Sequence, residues 1–279
     1  METPGDALTM RLSHEELATR AIGLAAGLFA GKTVLVTGGS GSIGEACAWI
    51  VGRLGAKVIL NGRNAEKLTR AAQQLDAGGI DVTSCQANLR EPEEVDRLFA
   101  CVAQESGIDA VINAAGGQFP QAAIDFSRKG WKAVIDTNLN GTWWVMQEAA
   151  RAWAKDKRPG AIVNIVVVIN RGLPGIAHSV AARAGIVYLS KNLAVEWAPL
   201  KINVNCVAPG VIRSEGLAGY SPEARQGFAK ANPQGEVGDP WDIGTAAAYL
   251  VSEPAKFITG ETLTIDGGGS LWGEFDPLA

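Results

Sequence analysis

The chain has 279 residues, 47% of them hydrophobic and 19% charged, and a formal net charge of −4. That length suits one large α/β domain with a substantial core and is short for two. The mild acidity leaves no basic footprint for nucleic acid, and no apolar run is long enough to span a membrane.

In chain order, residues 1–28 read as an appendage, partly disordered at its start, to one domain spanning 29–279. The AIGLAAGLFAG run after Arg20 resembles a short secretory core, but Glu15 and Glu16 lie just upstream and Lys32 enters the first strand without a spacer. A short helix packed on the domain is therefore expected here. The first strand covers residues 34–36 and leads into TGGSGSIG at 37–44, followed by a helix-like run over 45–54. Strand, glycine turn and helix together bring backbone N–H groups and a helix N-terminus up to a pyrophosphate. Gly38 and Gly41 are expected at positive φ, and Gly44 is expected where helix and strand pack closely. Taken alone, such a turn is also an ordinary βα corner.

A second strand is expected over 57–60, a helix over 65–75 closing at Gly78 and Gly79, and a third strand over 82–86. Glu91, Pro92, Glu93 and Glu94 open the next helix, with acids placed to favour the macrodipole. A fourth strand covers 110–113, and one long helix runs from about 131 to 153. The run AIVNIVVVI at 161–169 reads as a strand buried on both faces, followed by a helix over about 179–197 and a sixth strand over 202–207. Residues 214–239 are polar and glycine-containing, with a short helix around 222–230; a helix over 240–251 and a seventh strand over 262–265 follow. This alternation predicts an α/β fold, a single-domain Rossmann-like, doubly wound parallel sheet of about seven strands with helices on both faces. Ligands of such a sheet bind beyond the carboxyl ends of its strands.

Cys47, Cys85, Cys101 and Cys206 are scattered, without C-x-x-C spacing. The pattern predicts reduced, mostly buried thiols in a cytoplasmic compartment, and no disulfide framework or zinc site.

A dinucleotide fold selective for NAD places Asp or Glu about 20 residues past the glycines, on the ribose hydroxyls. Here the second strand ends Leu60-Asn61-Gly62-Arg63, with no acid. A guanidinium pairs with a 2′-phosphate that a carboxylate would repel. NADP(H) is therefore the expected cofactor, with Arg63 and Asn61 toward the phosphate; the alternative is a solvated surface arginine.

TGGSGSIG, the Asn113-Ala114-Ala115-Gly116 run, Asn138 within TNLNGT, and Pro209-Gly210 together resemble the short-chain dehydrogenase/reductase superfamily, over about residues 30–270. GGQFP, KGWKAVIDTNLNGT, AHSVAARAG, LAVEWA, VNCVAPGVI and FITGETLTIDGG are most similar to peroxisomal-type trans-2-enoyl-CoA reductases, 2,4-dienoyl-CoA reductases and related bacterial enzymes. The resemblance implies a phosphate turn of Thr37, Gly38, Ser40, Ser42, Ile43 and Gly44. It places Asn88 and Leu89 at the adenine, and Asn113, Ala114 and Gly116 at the adenosine ribose. Pro209, Gly210 and Ile212 fall at the nicotinamide, with Ser214 near the phosphates. One departure is Ser42, which stands where the superfamily has glycine. A tetramer follows by family analogy alone.

The superfamily's reacting set is Asn, Ser, Tyr and Lys, with Tyr-x-x-x-Lys spacing. Aligned on Arg183-Ala184-Gly185, this chain has Ser179 for the tyrosine, Arg183 for the lysine and Val166 or Val167 for the serine; only Asn138 is retained. Ketone reduction needs a ready proton on oxygen, which a serine beside an arginine supplies poorly. Reduction of an α,β-unsaturated thioester instead builds negative charge on the thioester oxygen, which a donor stabilises without surrendering its proton. Ser179 is the expected donor, with Arg183 adding positive field and holding the nicotinamide ribose. An NADPH-dependent enoyl thioester reductase is the leading expectation. The rivals are an alcohol or ketone dehydrogenase on terpenoid or steroid-like substrates, and a weakly catalytic cofactor-binding scaffold.

The neighbouring features are read as follows. His178 is a proton relay or a backbone-bonded junction residue, and Tyr188 is a packing residue. Trp143, Trp144 and Trp197 are core or interface residues. Residues 213–239 are a lid, and Arg128, Lys129, Arg171 and Arg225 are either CoA phosphate ligands or solvated surface.

Overall fold

The computed structural model describes residues 8–105 and 107–273. Strands β1 (Thr33–Thr37), β2 (Lys57–Gly62), β3 (Val82–Gln86), β4 (Ala110–Asn113), β5 (Gly160–Ile165), β6 (Ile202–Pro209) and β7 (Thr262–Ile265) form one sheet in the order β3-β2-β1-β4-β5-β6-β7. Every pairing is parallel, with Val36 opposite Leu60 on one side and Ile112 on the other. The chain order reverses at β1, so the crevice beyond β1 and β4 is the switch point at which such sheets bind ligands.

Side-chain alternation along each strand feeds two cores. Val34, Val36, Val58, Leu60 and Ile112 pack with helices α2 (Ser42–Arg53) and α9 (Pro240–Leu250). Leu35, Ile59, Val111 and Ile162 face the other way, toward α4 (Pro92–Gln104), α6 (Gly141–Asp156) and α7 (Ala177–Glu196). Helix α3 (Ala65–Ala77) flanks β2 and β3, starting at the Asn64 side-chain cap. Gly244 brings α9 against α2: a Cβ there would lie 2.8 Å from Ile50 Cδ1.

The structure changes several sequence expectations. The N-terminal helix, α1 (His14–Thr19), lies earlier than the apolar run, capped by a Ser13–Glu16 box. Leu12 and Leu17 are buried in the first core, so this segment belongs to the packed body. The expected disorder at the extreme N-terminus falls outside the described residues. The helix expected over 131–153 is interrupted. Helix α5 (Arg128–Ile135) passes through a π turn, Asp136–Asn140, before α6 begins. Strand β5 stops at Ile165; beyond it Val166 N–H still bonds Val207 O at 2.8 Å and Val168 N–H bonds Pro209 O at 3.4 Å, and Val166, Val167 and Val168 form a cavity wall.

The cysteine expectation is also corrected. Cys85 on β3 and Cys101 on α4 form a disulfide, while Cys47 and Cys206 are free and buried. The alternation of β3 turns Cys85 inward onto the α4 face, which no short Cys spacing reports. Burial pushes the Cys47 thiol up to about 12, so it stays protonated.

Candidate active site

The glycine turn is shaped by close approaches. Gly38 has φ 64°, and a Cβ there would lie 2.7 Å from the Ala115 backbone. Gly41 is extended at φ −95° as the N-cap of α2, which corrects its expected positive φ. A Cβ on Gly44 would collide with the Gly38 carbonyl, so this glycine lets the turn fold onto its own helix. The first bond closing α2 runs from Glu45 N–H to Gly41 O at 2.8 Å. The N–H groups of Ser42, Ile43 and Gly44 precede it and have no intrahelical acceptor, as an anion site at a helix N-terminus requires.

Arg11, which sequence reasoning missed, grips this turn from the N-terminal segment. Its guanidinium donates to Ser40 O at 2.6 Å and pairs with the buried Glu45 carboxylate at 2.7 Å. Burial raises the Glu45 pKa, and Arg11 counteracts it.

At the end of β2, Asn61 is buried and its amide donates to Cys85 O and Ala87 O at 3.0 and 3.3 Å. That amide therefore closes the strand end instead of reaching outward. Arg63 is exposed, and its guanidinium has no partner among the described residues. Asn88 follows β3, with its N–H on Glu94 Oε2 at 2.7 Å, and Leu89 is buried beside it.

Beneath the crevice a buried polar chain crosses the sheet. Thr37 Oγ1 bonds Asn113 Oδ1 at 3.3 Å, Asn113 Nδ2 bonds Asn164 Oδ1 at 2.9 Å, and Asn164 Nδ2 bonds Ser190 Oγ at 3.0 Å. These partners fix Asn113 at the end of β4 and satisfy polar groups that burial would otherwise penalise. Asn164 carried no sequence signal because it is one polar residue inside an apolar run, and Ser190 none because it precedes Lys191 and Asn192 and reads as part of a polar helix face.

The π turn swings Asn138 inward. Its Oδ1 accepts Gly117 N–H at 3.0 Å, and its Nδ2 donates to Gly117 O at 2.9 Å and to Ser179 Oγ at 3.4 Å. The three residues expected at the reacting centre, Asn138, Ser179 and Arg183, are all buried and line one cavity. Arg183 Nη1 is buried without a partner, and no acid or carbonyl bonds this guanidinium among the described residues. Burial lowers its pKa to about 10, so it remains a cation at neutral pH. A Cβ on Gly116 would collide with Arg183 Nη2, so glycine is what admits the guanidinium beneath that loop.

The cavity is about 490 Å³ and mostly apolar, lined by Ile165, Val166, Val168, Leu173, Ile176 and Ile212. Ala114, Pro209, Gly210 and Ser214 also line it, which brings the expected ribose and nicotinamide residues to the same mouth. His178 lies outside it. The ring is fully buried between Phe119 and Phe126, with Nδ1 accepting Ser179 N–H at 2.8 Å and Nε2 unpartnered. Burial lowers its pKa and keeps the imidazole neutral. Tyr188 is exposed on α7, under Lys191, instead of packed.

The segment after β6 covers the cavity with Leu217, Tyr220 and Phe228. It includes the short helix α8 (Pro222–Gln226), which ends earlier than expected. This segment is tethered to the N-terminal part of the chain. Ser214 N–H donates to Leu8 O at 3.1 Å, and Glu215 meets Lys67 at 2.9 Å and Arg11 at 3.8 Å. Of the four scattered basic residues, Arg171 lines the cavity and donates to Ala231 O at 3.3 Å.

A family model described as Enoyl-(Acyl carrier protein) reductase matches residues 38–270. The chain is 37% identical over 243 residues to a probable 2,4-dienoyl-CoA reductase of Bacillus subtilis (strain 168), covering 85% of this chain and 96% of that protein. It is 37% identical to the 3-oxoacyl-(acyl-carrier-protein) reductase FabG of Chlamydia muridarum, covering 86% of this chain and 98% of the other. The structure of a citronellol catabolism dehydrogenase from Pseudomonas aeruginosa PAO1 matches with a TM-score of 0.80 at 35% identity, over 89% of this chain and 99% of that one.

Proposed function

The chain belongs to the short-chain dehydrogenase/reductase superfamily, and we propose that it uses NADPH to reduce the carbon–carbon double bond of an enoyl thioester. One observation carries this reading: Ser179 and the unpaired, buried Arg183 share an apolar cavity at the sheet's carboxyl edge. An unpaired buried charge is costly unless a ligand completes it, so the site is built for developing negative charge. The residues present fit a nicotinamide cofactor. The cradle at Gly38 and Gly44 would be filled by any Cβ, and the guanidinium of Arg183 lacks an acceptor.

When bound, the cofactor supplies the hydride. The chain's residues do the rest. Ser42, Ile43 and Gly44 would present N–H groups to its pyrophosphate, and the Arg63 guanidinium would meet a 2′-phosphate. Asn138 positions Ser179 by donating to its oxygen, which leaves the hydroxyl proton to point at the thioester oxygen. Arg183 adds positive field within a mostly apolar wall, where the guanidinium itself is buried. The apolar wall from Ile165 to Ile176 receives the acyl chain. Ketone reduction lacks an acidified tyrosine at this position.

The test is NADPH oxidation with a trans-2-enoyl-CoA, compared with a panel of ketones and alcohols. Consumption with the enoyl thioester supports the reading. Consumption with ketones alone contradicts it, and cofactor binding without turnover favours a scaffold.

A further inference from the structure

Tyr220 lies in the segment that follows β6, and the enoyl reduction described above leaves it without a role. Its side chain lines the same cavity as Ser179 and Arg183. Its hydroxyl accepts from Gln118 Nε2 at 2.9 Å, and its ring is held edge-on by Phe228 at 5.3 Å between centroids. Gln118 directly follows Gly117, which is doubly bonded to the Asn138 amide. One continuous set of contacts thus runs from Ser179 through Asn138 and residues 117–118 to the phenol. Because the phenol oxygen already accepts from Gln118, its own proton is free for the cavity. Its partly buried position keeps it protonated, since burial raises its pKa above the ordinary phenol value.

We propose that Tyr220 is the proton donor of the reduction. The proposal rests on the enoyl thioester reading and completes it. Once hydride has reached the β carbon, the former double-bond pair resides in an enolate whose oxygen faces Ser179 and Arg183. The Tyr220 O–H bond breaks as a bond forms between that proton and the α carbon. The resulting phenolate is stabilised by the Gln118 amide and regains its proton from water, which reaches the exposed Gln118. Donor and oxyanion groups sit on separate elements, the lid and α7, so the double bond lies between them. The superfamily's tyrosine is thereby replaced in role by a residue from another part of the chain. Its position also couples chemistry to closure, because the lid that covers the substrate brings the proton.

Among the described residues the charged side chains lining this cavity are Arg171 and Arg183, with no carboxylate, so the phenol is the neutral acid there. The experiment compares wild type, Tyr220→Phe and Gln118→Leu on a trans-2-enoyl-CoA and on a 3-oxoacyl-CoA, across pH. NADPH binding and circular dichroism serve as fold controls. For Tyr220→Phe, kcat is expected to fall about 10²-fold or more, as for loss of a general acid, with KM little changed. Wild type is expected to show an alkaline fall in kcat as the phenol ionises, and Tyr220→Phe to lack it. Gln118→Leu should move that fall to higher pH, because the phenolate loses its donor.

A Tyr220→Phe rate within twofold of wild type overturns the proposal. So does a slow variant that keeps the alkaline limb, which would mark a positioning role. If wild type reduces only the ketone, the enoyl reading fails, and the same comparison on the ketone still decides whether Tyr220 donates. Wild-type turnover of neither substrate overturns both.

Discussion

Asn138 Nδ2 donates to Ser179 Oγ at 3.4 Å, which leaves the serine's own proton available to the cavity that Ser179 lines. If that proton stabilises the enolate, Ser179→Ala should lower kcat by roughly 10²–10³-fold, the range for losing one oxyanion donor. Steady-state kinetics on a trans-2-enoyl-CoA would check it. An unchanged kcat would remove Ser179 from the mechanism.

Arg183 predicts opposite effects on stability and activity. The apo protein bears a buried cation without a partner. Arg183→Met removes that burden, so the apo protein should gain about 1–3 kcal/mol in denaturant unfolding. Turnover should fall by roughly 10²-fold or more, because the developing charge loses its field. A variant that is less stable and equally active would contradict the role assigned to the guanidinium.

Arg63 sets the cofactor prediction. It is exposed at the β2 end, with no acid at that position. Arg63→Asp should weaken NADPH binding by roughly tenfold or more, the scale of one lost charge-assisted bond, and improve NADH relative to it. Titration with both cofactors measures this, and an unaltered preference would refute the assignment.

Arg11 predicts a pH-dependent stability. Burial raises the Glu45 pKa in the folded state, and Arg11 pulls it back. A carboxyl with a raised folded value holds its proton better in the folded than in the unfolded chain. Its contribution is therefore most favourable at low pH and declines as pH rises from the unfolded to the folded value. Removing Arg11 widens that interval. Arg11→Ala should cost about 1–3 kcal/mol at neutral pH, discounted because Arg11 is partly exposed, and recover part of it on acidification. Urea melts at several pH values would test this; a deficit that grows as pH falls would contradict it.

The sheet was legible because its strands are short, near-continuous apolar runs alternating with helical patterns, and because glycines mark its turns. Asn138, Ser179 and Arg183 were picked out by resemblance to the superfamily's reacting set, and all three line one cavity. What was not legible depends on contacts between distant parts of the chain. Arg11 reaches Ser40 across 29 residues, and Gln118 reaches Tyr220 across 102, so no local pattern encodes either. The π turn was hidden because one extra residue per turn leaves helical periodicity nearly intact. Asn61 read as a phosphate ligand from its place at the β2 end, yet its amide is taken up by two β3-side carbonyls.

The central claim is that this site reduces a carbon–carbon double bond, and a competition assay tests it most directly. Equimolar trans-2-enoyl-CoA and 3-oxoacyl-CoA are offered together with NADPH deuterated at the transferred position, and the products are resolved by mass spectrometry. The account predicts saturated acyl-CoA carrying deuterium on the β carbon, with little 3-hydroxyacyl-CoA. Predominant 3-hydroxyacyl-CoA carrying the label would contradict it.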